Sequence, residues 1–301
     1  MKSLPRSVLT DAAMAALVAL FAWAIVRFAW QPGLASLADD SVSYLVMAQV
    51  FSPWQAATAP VAEAFVREAF YPPLFPLVLA LAGAGHSIAY AHAVTALLLA
   101  AWLPLFYLLA RRWLGGRWSA LAAGVALASL PTLWIQAKGV LSEPLFGALL
   151  LALFLVIDRA EETRGARARV AALLAALVLT RSAALVPVAG YALWALARPG
   201  RGLRGRALAA LPAVAALAAY GAWVLLRPAA TADDYLRIVG ERSASILHAS
   251  SLLGALGASV ARQASSMLDA WIGSLLIFWV EGSPVRPALA CALGALALAG
   301  L

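Results

Sequence analysis

Hydrophobic residues occur along this chain in long runs, and short polar segments separate the runs. A helix that crosses the ~30 Å hydrocarbon layer of a membrane needs about 20 predominantly apolar residues. The runs cover residues 12–30, 72–84, 88–110, 119–135, 144–157, 168–180, 182–197, 207–227 and 271–301. This pattern predicts an all-α, polytopic membrane protein.

Composition supports the same prediction. Hydrophobic residues make up 64% of the 301 positions and charged residues only 12%, whereas about a quarter of a soluble domain is charged. Basic residues precede the first run, as in a signal peptide, but that run exceeds the roughly 7–15 apolar residues of a signal sequence. We therefore expect a retained first transmembrane helix. Cys291 is the single cysteine, which supports neither a disulfide nor a cysteine-based metal site.

Arginine clusters predict the orientation in the membrane. Basic residues precede the first run and recur at 111–118, 158–169 and 198–206. Clusters between apolar runs are typical of cytoplasmic loops, so the net charge of +8 does not indicate a nucleic-acid partner. The N-terminus should be cytoplasmic, and the segments that carry Asp39, Asp40, Glu143 and Asp233 should lie outside.

The number of crossings must agree with this orientation. Because residues 31–71 are expected outside and 111–118 inside, only one of the runs 72–84 and 88–110 can cross. We predict that the longer run spans, and that the proline-rich run 72–84 is re-entrant or interfacial. Residues 168–197 should cross twice with a turn near Arg181, because a continuous helix would hold that cation in the bilayer at a cost of about 2.5–3.5 kcal/mol.

The outer turns at 131–143 and 180–182 are expected to be recessed. Thirteen helical residues cover only about 20 Å, and non-helical backbone at that depth is tolerated where it lines a wet cavity or is covered by protein. We predict an outward-facing cavity with a charged floor and an acidic rim. Its floor holds Lys138, Glu143 and Arg181, and its rim holds Asp39 and Asp40.

The first outer loop, residues 32–71, is long for a membrane connection and should carry interfacial helices. Val61, Phe65 and Ala69 would share one face of such a helix, an arrangement that suits a helix lying on the membrane surface.

Each charged candidate also has a structural interpretation. Asp39 or Asp40 could cap the helix that follows them, and Glu143 precedes Pro144 as a helix-start residue often does. Lys138 could pair with Glu143. Arg181 is harder to explain in this way, because a buried cation needs a partner or an anionic ligand.

A divalent metal ion is the only cofactor left open, with Asp39, Asp40 and Glu143 as its ligands if one binds. The spacing of these carboxylates does not show that they converge, as a metal site requires. No glycine-rich nucleotide loop is present in the sequence, which argues against a nucleotide-dependent mechanism.

Four short motifs follow one another in the order of a known family. They are "DD" at 39–40, "YPPLFPLVLAL" at 71–81, "SEPLF" at 142–146 and "LTRSAALVP" at 179–187. Over about residues 10–227 the chain resembles the class C (GT-C) glycosyltransferases, in particular bacterial relatives of the protein O-mannosyltransferases and of the lipid A aminoarabinose transferase. The resemblance implies a seven-helix GT-C module in residues 1–227. Residues 228–301 are then expected to hold a second outer loop and further transmembrane helices of a C-terminally truncated chain.

The resemblance also implies an activity. Such enzymes move a sugar from a polyprenyl-phosphate or dolichyl-phosphate carrier to a lipid, glycan or protein acceptor at the outer face of the cell membrane. Asp39 matches the family's catalytic base, Asp40 its acidic neighbour, Glu143 the acidic residue of the second outer loop, and Arg181 a basic position. The resemblance therefore predicts Asp39, Asp40 and Glu143 as the catalytic residues. Tyr71 stands where relatives often carry His or Lys.

The residues themselves agree with this chemistry. A carboxylate at the rim can deprotonate an acceptor hydroxyl, and recessed Arg181 and Lys138 can stabilise a departing phosphate. Tyr44, one turn after Asp40, and Tyr71 complete the predicted substrate-binding set.

Two other functions share some of these features. A secondary transporter would use charged residues near the middle of the membrane, but transporters often contain inverted repeats, and none is evident in the sequence. A lipid-linked oligosaccharide ligase or polymerase would share an outward polar cavity, and its large outer loop would have to fall within residues 228–270.

Overall fold

The computed structural model describes residues 6–33, 37, 39–157, 163–198 and 202–228, and residues 6, 7, 39 and 164 by backbone alone. The second outer loop and later helices expected after residue 228, together with Asp233 and Cys291, lie outside the described residues. Within the described ranges, residues 129–132 belong to a second unit, and all the others belong to one compact unit.

The described chain is all-α, and these residues contain no strand. Short 3-10 turns at Ala84–His86 and Ser182–Ala184 precede α5 and α11. The helices are α1 (Arg6–Ala29), α2 (Asp39–Val50), α3 (Ala59–Glu68), α4 (Leu74–Leu81), α5 (Ile88–Ala100), α6 (Trp102–Leu114), α7 (Arg117–Ser129), α8 (Pro131–Gln136), α9 (Glu143–Val156), α10 (Arg164–Thr180), α11 (Leu185–Ala197) and α12 (Leu203–Leu226).

Among the described residues, three segments are long and apolar enough to cross a membrane: Val8–Ala29, Ile88–Leu114 and Leu203–Leu226. The second joins α5 and α6 into one span of 27 residues, which agrees with the crossing predicted for residues 88–110. By contrast, α4 has eight residues and covers about 12 Å at 1.5 Å per residue. Residues 72–84 therefore do not form a helix long enough to cross.

Helix α1 runs antiparallel to the α5–α6 span. Near the start of α1, Asp11 forms an ion pair with Arg111 of α6 at 3.3 Å. At the other end, the ring of Trp30 lies edge-on to the ring of Tyr90 in α5, with 5.7 Å between centroids. We call the end that holds Arg111 the basic end. Trp30 and Tyr90 mark the opposite end, so the segment between them begins and ends there. This agrees with the single crossing predicted between residue 31 and the basic segment 111–118.

Helix α9 begins part way along the α5–α6 span and ends at the basic end. Trp102, near the middle of the span, donates its indole N–H to the carbonyl oxygen of Pro144 at 2.7 Å. Arg112 donates to the carbonyl oxygen of Leu155 at 2.8 Å. A Cβ on Gly147 would lie 2.1 Å from Trp102, so this glycine lets the indole approach α9. The start of α9 is therefore recessed towards the middle of the span.

The chain breaks between α10 and α11 at Arg181, as predicted. Arg181 is extended, with φ −152° and ψ 140°, and it is followed by a 3-10 turn. Pro187 lies in the first turn of α11, where a missing N–H is tolerated, whereas in a continuous helix it would remove a hydrogen bond and clash with the preceding turn. Arg181 is thereby held at the end of α10, away from the basic residues at its start.

Residues 32–71, the predicted first outer loop, contain α2 and α3. Phe65 packs edge-on against Phe51 at the end of α2, with 5.7 Å between ring centroids, and Ala69 is fully buried. The apolar face of α3 is therefore partly covered by protein, whereas Val61 and Phe65 are only half-buried, and its contact with a membrane surface stays a prediction. An apolar stripe is equally well buried by lipid or by a neighbouring helix, so the sequence pattern could not distinguish the two.

Candidate functional site

The first half of α2 forms one wall of the candidate site. Asp40 and Tyr44 lie one turn apart and therefore share a face of the helix. Tyr44 is only 2% exposed. The rings of Tyr71 and Phe75 lie 4.9 Å and 5.1 Å from its ring. Tyr44 is thus enclosed by α2, by the start of α4 and by the turn that joins α3 to α4.

One side of this enclosure is acidic. The Tyr71 hydroxyl donates a hydrogen bond to Asp40, and the Ser43 hydroxyl donates one to Glu68 at the end of α3. Burial, the hydrogen bond to Asp40 and the negative charges of Asp40 and Glu68 all raise the pKa of Tyr71 above its usual value. Tyr71 therefore stays protonated and acts as a hydrogen-bond donor to Asp40. We call Asp40, Ser43, Glu68 and Tyr71 the acidic group.

The other side carries an ion pair. Arg181, at the end of α10, pairs with Glu143, the first residue of α9. Arg181 also donates to the Ser142 hydroxyl at 3.1 Å. Ser142 is the N-cap residue of α9, yet its side chain makes no cap hydrogen bond. The capping interpretation therefore accounts for the positions of Ser142 and Glu143 at the start of α9, but not for the contacts of their side chains. We call Ser142, Glu143 and Arg181 the arginine group.

Tyr44 connects the two groups. Its hydroxyl oxygen lies 2.9 Å from the Ser142 hydroxyl oxygen in a buried hydrogen bond. Burial raises the pKa of Tyr44 to about 12, the Ser142 hydrogen bond and the charge of Arg181 oppose that rise, and the charges of Asp40 and Glu143 add to it. Three charged residues from separate sequence segments therefore interact electrostatically with one hydroxyl. Asp40, Glu143 and Arg181, which the sequence analysis assigned to the rim and floor of one cavity, thus lie around Tyr44. The cavity itself stays a prediction.

Lys138 does not take the predicted position beside Glu143. Its amino group lies over the ring of Phe28 at the end of α1, 4.7 Å from the centroid, a cation–π contact. The alternative interpretation, in which Lys138 pairs with Glu143, is not observed, because Arg181 pairs with Glu143 instead. Backbone hydrogen bonds from Lys138 to Ile135 and from Gly139 to Gln136 turn the chain before α9, so closeness in sequence did not bring the two side chains together.

Asp39 is the first residue of α2, and its side chain lies outside the described residues. The structure therefore places the backbone of the predicted base next to Asp40 without describing its carboxylate. Among the described side chains, no group of three or more His, Cys, Asp or Glu residues could hold a metal ion. Asp40 and Glu143 contact Tyr71 and Arg181 instead, and no step below depends on a metal.

Two residues of the site were not predicted. Glu68 lies within the predicted loop helix, and its sequence context did not distinguish it from Glu63. Ser142 belongs to the SEPLF motif but was not assigned a role, although its hydroxyl contacts both Tyr44 and Arg181. The one available signal was the position of Ser142 directly before the Glu-Pro start of a helix.

Fold and site define an all-α protein with membrane-type helices and a cluster of charged residues and tyrosines recessed at one end. The chain matches no known protein family, no curated protein and no solved structure in the comparisons made. Any function must therefore be argued from the residues of the site.

Proposed function

We propose that this chain is a polytopic membrane glycosyltransferase of the GT-C type. It would move a sugar from a polyprenyl-phosphate carrier to a lipid, glycan or protein acceptor at the outer face of the cell membrane. The observation that carries the proposal is that Tyr44 packs on Tyr71, which bonds to the Asp40 carboxylate, and itself bonds to Ser142, which accepts from Arg181 of the Arg181–Glu143 pair.

Exposed aromatic residues support the placement in a membrane. Trp113 and Trp118 are exposed at the basic end, and Trp30 and Tyr90 are exposed at the opposite end of the bundle. Tryptophan and tyrosine are enriched at both interfaces of a bilayer, and basic loops face the cytoplasm. With the basic end cytoplasmic, the candidate site at the start of α9 and the end of α10 would face the outer side.

The proposed reaction is a displacement at the anomeric carbon of the donor sugar. The acceptor hydroxyl oxygen forms a new bond to that carbon, and the bond to the carrier phosphate oxygen breaks. The electron pair leaves with the polyprenyl phosphate, and the acceptor proton passes to a carboxylate that acts as general base. Asp39 is the base by resemblance to the family. Asp40, held by Tyr71, shapes the wall beside it.

Arg181 is the group suited to the phosphate. Its side chain is 31% exposed, so an entering headgroup can reach it. Both of its contacts, to Ser142 and to Glu143, use Nη1, whereas a guanidinium has five N–H donors. The Nη2 and Nε donors therefore lie outside these two contacts. A fixed cation at this position would stabilise the charge that develops on the leaving phosphate.

Sugar transfer itself is the direct test. Membranes that contain this chain are incubated with a panel of radiolabelled polyprenyl-phosphate sugars, and the label that reaches endogenous acceptors is measured. We expect transfer from at least one donor, and none from the same donor in membranes that lack the chain. Failure of every donor, with the chain inserted in the membrane, would contradict the proposal.

Orientation is tested separately by cysteine labelling. In a Cys291→Ser background, His86→Cys introduces a thiol at an exposed position at the end opposite the basic end. Gly202→Cys introduces one in the predicted cytoplasmic segment, where a Cβ meets no atom within 4 Å. An impermeant maleimide should label position 86 in intact cells and position 202 only after permeabilisation. The reverse pattern would place the site on the cytoplasmic side and overturn the outer-face assignment.

A further inference from the structure

The end of α12 contacts the segment that carries Tyr71. Arg227 directly follows α12 and is only 7% exposed, and its Nη1 donates to the carbonyl oxygen of Phe70 at 3.4 Å. One turn earlier, the ring of Trp223 lies almost perpendicular to that of Phe51, with 6.4 Å between centroids. Phe51 follows α2 and Phe70 follows α3, so the last turn of α12 touches the chain at both of these helix ends.

The carbonyl group of Phe70 bears directly on Tyr71. It belongs to the same planar peptide unit as the backbone nitrogen of Tyr71, so a donor that fixes the carbonyl also fixes the orientation of that unit. The Phe70 ring in addition lies 4.2 Å from the Tyr71 ring. On the other side, Pro72 restricts the backbone of the residue before it. Tyr71 is thus constrained from both sides.

A guanidinium is a costly way to fill this position if packing were its only role. Buried charge is unfavourable unless it is hydrogen-bonded. An apolar residue would extend the apolar surface of α12 without this free-energy cost. An arginine at position 227 is favourable if its N–H groups donate to a particular acceptor. The Phe70 carbonyl is one such acceptor.

We infer that Arg227 is a positioning residue for the acidic group: it fixes the peptide between Phe70 and Tyr71 and so keeps the Tyr71 hydroxyl on Asp40. The expected effect on sugar transfer rests on the proposed function. The claim that Arg227 holds Tyr71 in position rests on these contacts alone. Helix α12 thereby contributes to the site although its own side chains lie outside the acidic and arginine groups.

The geometric part is tested without any activity assay. Difluorotyrosine, whose phenol ionises at lower pH than that of tyrosine, is incorporated at position 71 and titrated by fluorine NMR in the purified full chain. Removal of the Arg227 donor by Arg227→Met should let Tyr71 leave Asp40 and should move the titration to lower pH. Arg227→Lys, which retains a donor, should restore most of the original midpoint. An unchanged titration in Arg227→Met would overturn the inference.

A second label controls for general loosening of α12. Tyr191 of α11 donates to the carbonyl oxygen of Ala209 near the other end of α12. The fluorine signal of difluorotyrosine at position 191 should be the same in the original chain and in Arg227→Met. A change at 191 as large as that at 71 would show a structural role only and would contradict a specific positioning role. Should Arg227→Met fail to insert, Arg227→Gln serves in the same comparison.

Kinetics connect the inference to the proposed reaction. Arg227→Met should lower kcat by up to about 100-fold, the order that a misplacement of about 1 Å produces, with little change in the KM for donor, and Arg227→Lys should recover part of the loss. An altered titration with unaltered kcat would show that Tyr71 moves without affecting transfer and would refute the positioning role. Absence of transfer in the original chain would instead contradict the proposed function and leave the titration result intact.

Discussion

Replacement of Asp39 by asparagine should lower the rate of sugar transfer by about 100-fold or more, since a general base contributes roughly 10²–10⁴ to the rate. Asparagine has the size of aspartate but cannot take up the acceptor proton. Insertion and expression should be close to normal, because Asp39 is the first residue of α2 and asparagine differs from aspartate little in size. Initial rates of label transfer, normalised to the amount of inserted protein, measure the effect.

The neighbouring variant Asp40→Asn is the matched control. Asparagine keeps a side-chain oxygen that can accept the hydrogen bond from Tyr71, so the wall of the site should be preserved and the rate should fall much less. If the order of the two effects is reversed, the base is Asp40, and the alignment of Asp39 with the family's base is wrong by one position. Near-normal transfer by both variants would remove the acidic pair from the mechanism.

The parts of the fold that follow from covalent or electrostatic constraints were predictable. Pro187 and the charge of Arg181 each oppose a continuous helix through 168–197, and the break lies at Arg181. The basic segment 111–118 required one crossing after residue 31, and α1 runs antiparallel to the α5–α6 span. In both cases a wrong arrangement would bury an unpaired charge or remove backbone hydrogen bonds, so few alternatives were left.

The contact partners of individual side chains were harder to predict than the positions of the helices. The charge of Lys138 is stabilised by a cation–π contact with the ring of Phe28, a residue distant in sequence. The turn before α9 directs the Lys138 side chain there. Phe65 on the apolar face of α3 packs against Phe51, a contact that the pattern of apolar residues does not specify. Ser142 shows the same limit: its cap position was predictable, whereas its contacts with Tyr44 and Arg181 depend on how α2, α9 and α10 meet.

Each tyrosine of the site is held by a hydrogen bond and remains uncharged. Tyr44 is buried between the two groups and bonded to Ser142, and Tyr71 is bonded to Asp40. Both phenols are neutral at physiological pH, because the pKa of a tyrosine is ordinarily about 10 and is raised further at both positions, so neither adds negative charge to a site that already holds several carboxylates. This matters for the proposed donor, because each further negative charge would repel its phosphate.

Loss of the Arg181 guanidinium should weaken donor binding more than any other single change in the arginine group. A hydrogen bond to a charged group contributes about 1.5–3 kcal/mol, which corresponds to a roughly 10- to 150-fold change at about 1.4 kcal/mol per factor of ten. Arg181→Ala should therefore raise the donor concentration that gives half-maximal transfer by about that factor. The transfer rate measured against the concentration of the polyprenyl-phosphate sugar gives this value.

Glu143 provides the matched comparison, because it forms the ion pair with Arg181 and was also a predicted catalytic residue. If Glu143 only orients the guanidinium, Glu143→Gln should keep an acceptor for Arg181 and leave donor dependence unchanged or improved, since one competing negative charge is gone. If Glu143 takes part in the chemistry, the same variant should lower kcat instead. The double variant Arg181→Ala/Glu143→Gln leaves no unpaired charge, which separates loss of phosphate binding from the cost of an isolated buried carboxylate. Donor dependence that is unchanged in Arg181→Ala and in the double variant would show that the phosphate binds elsewhere.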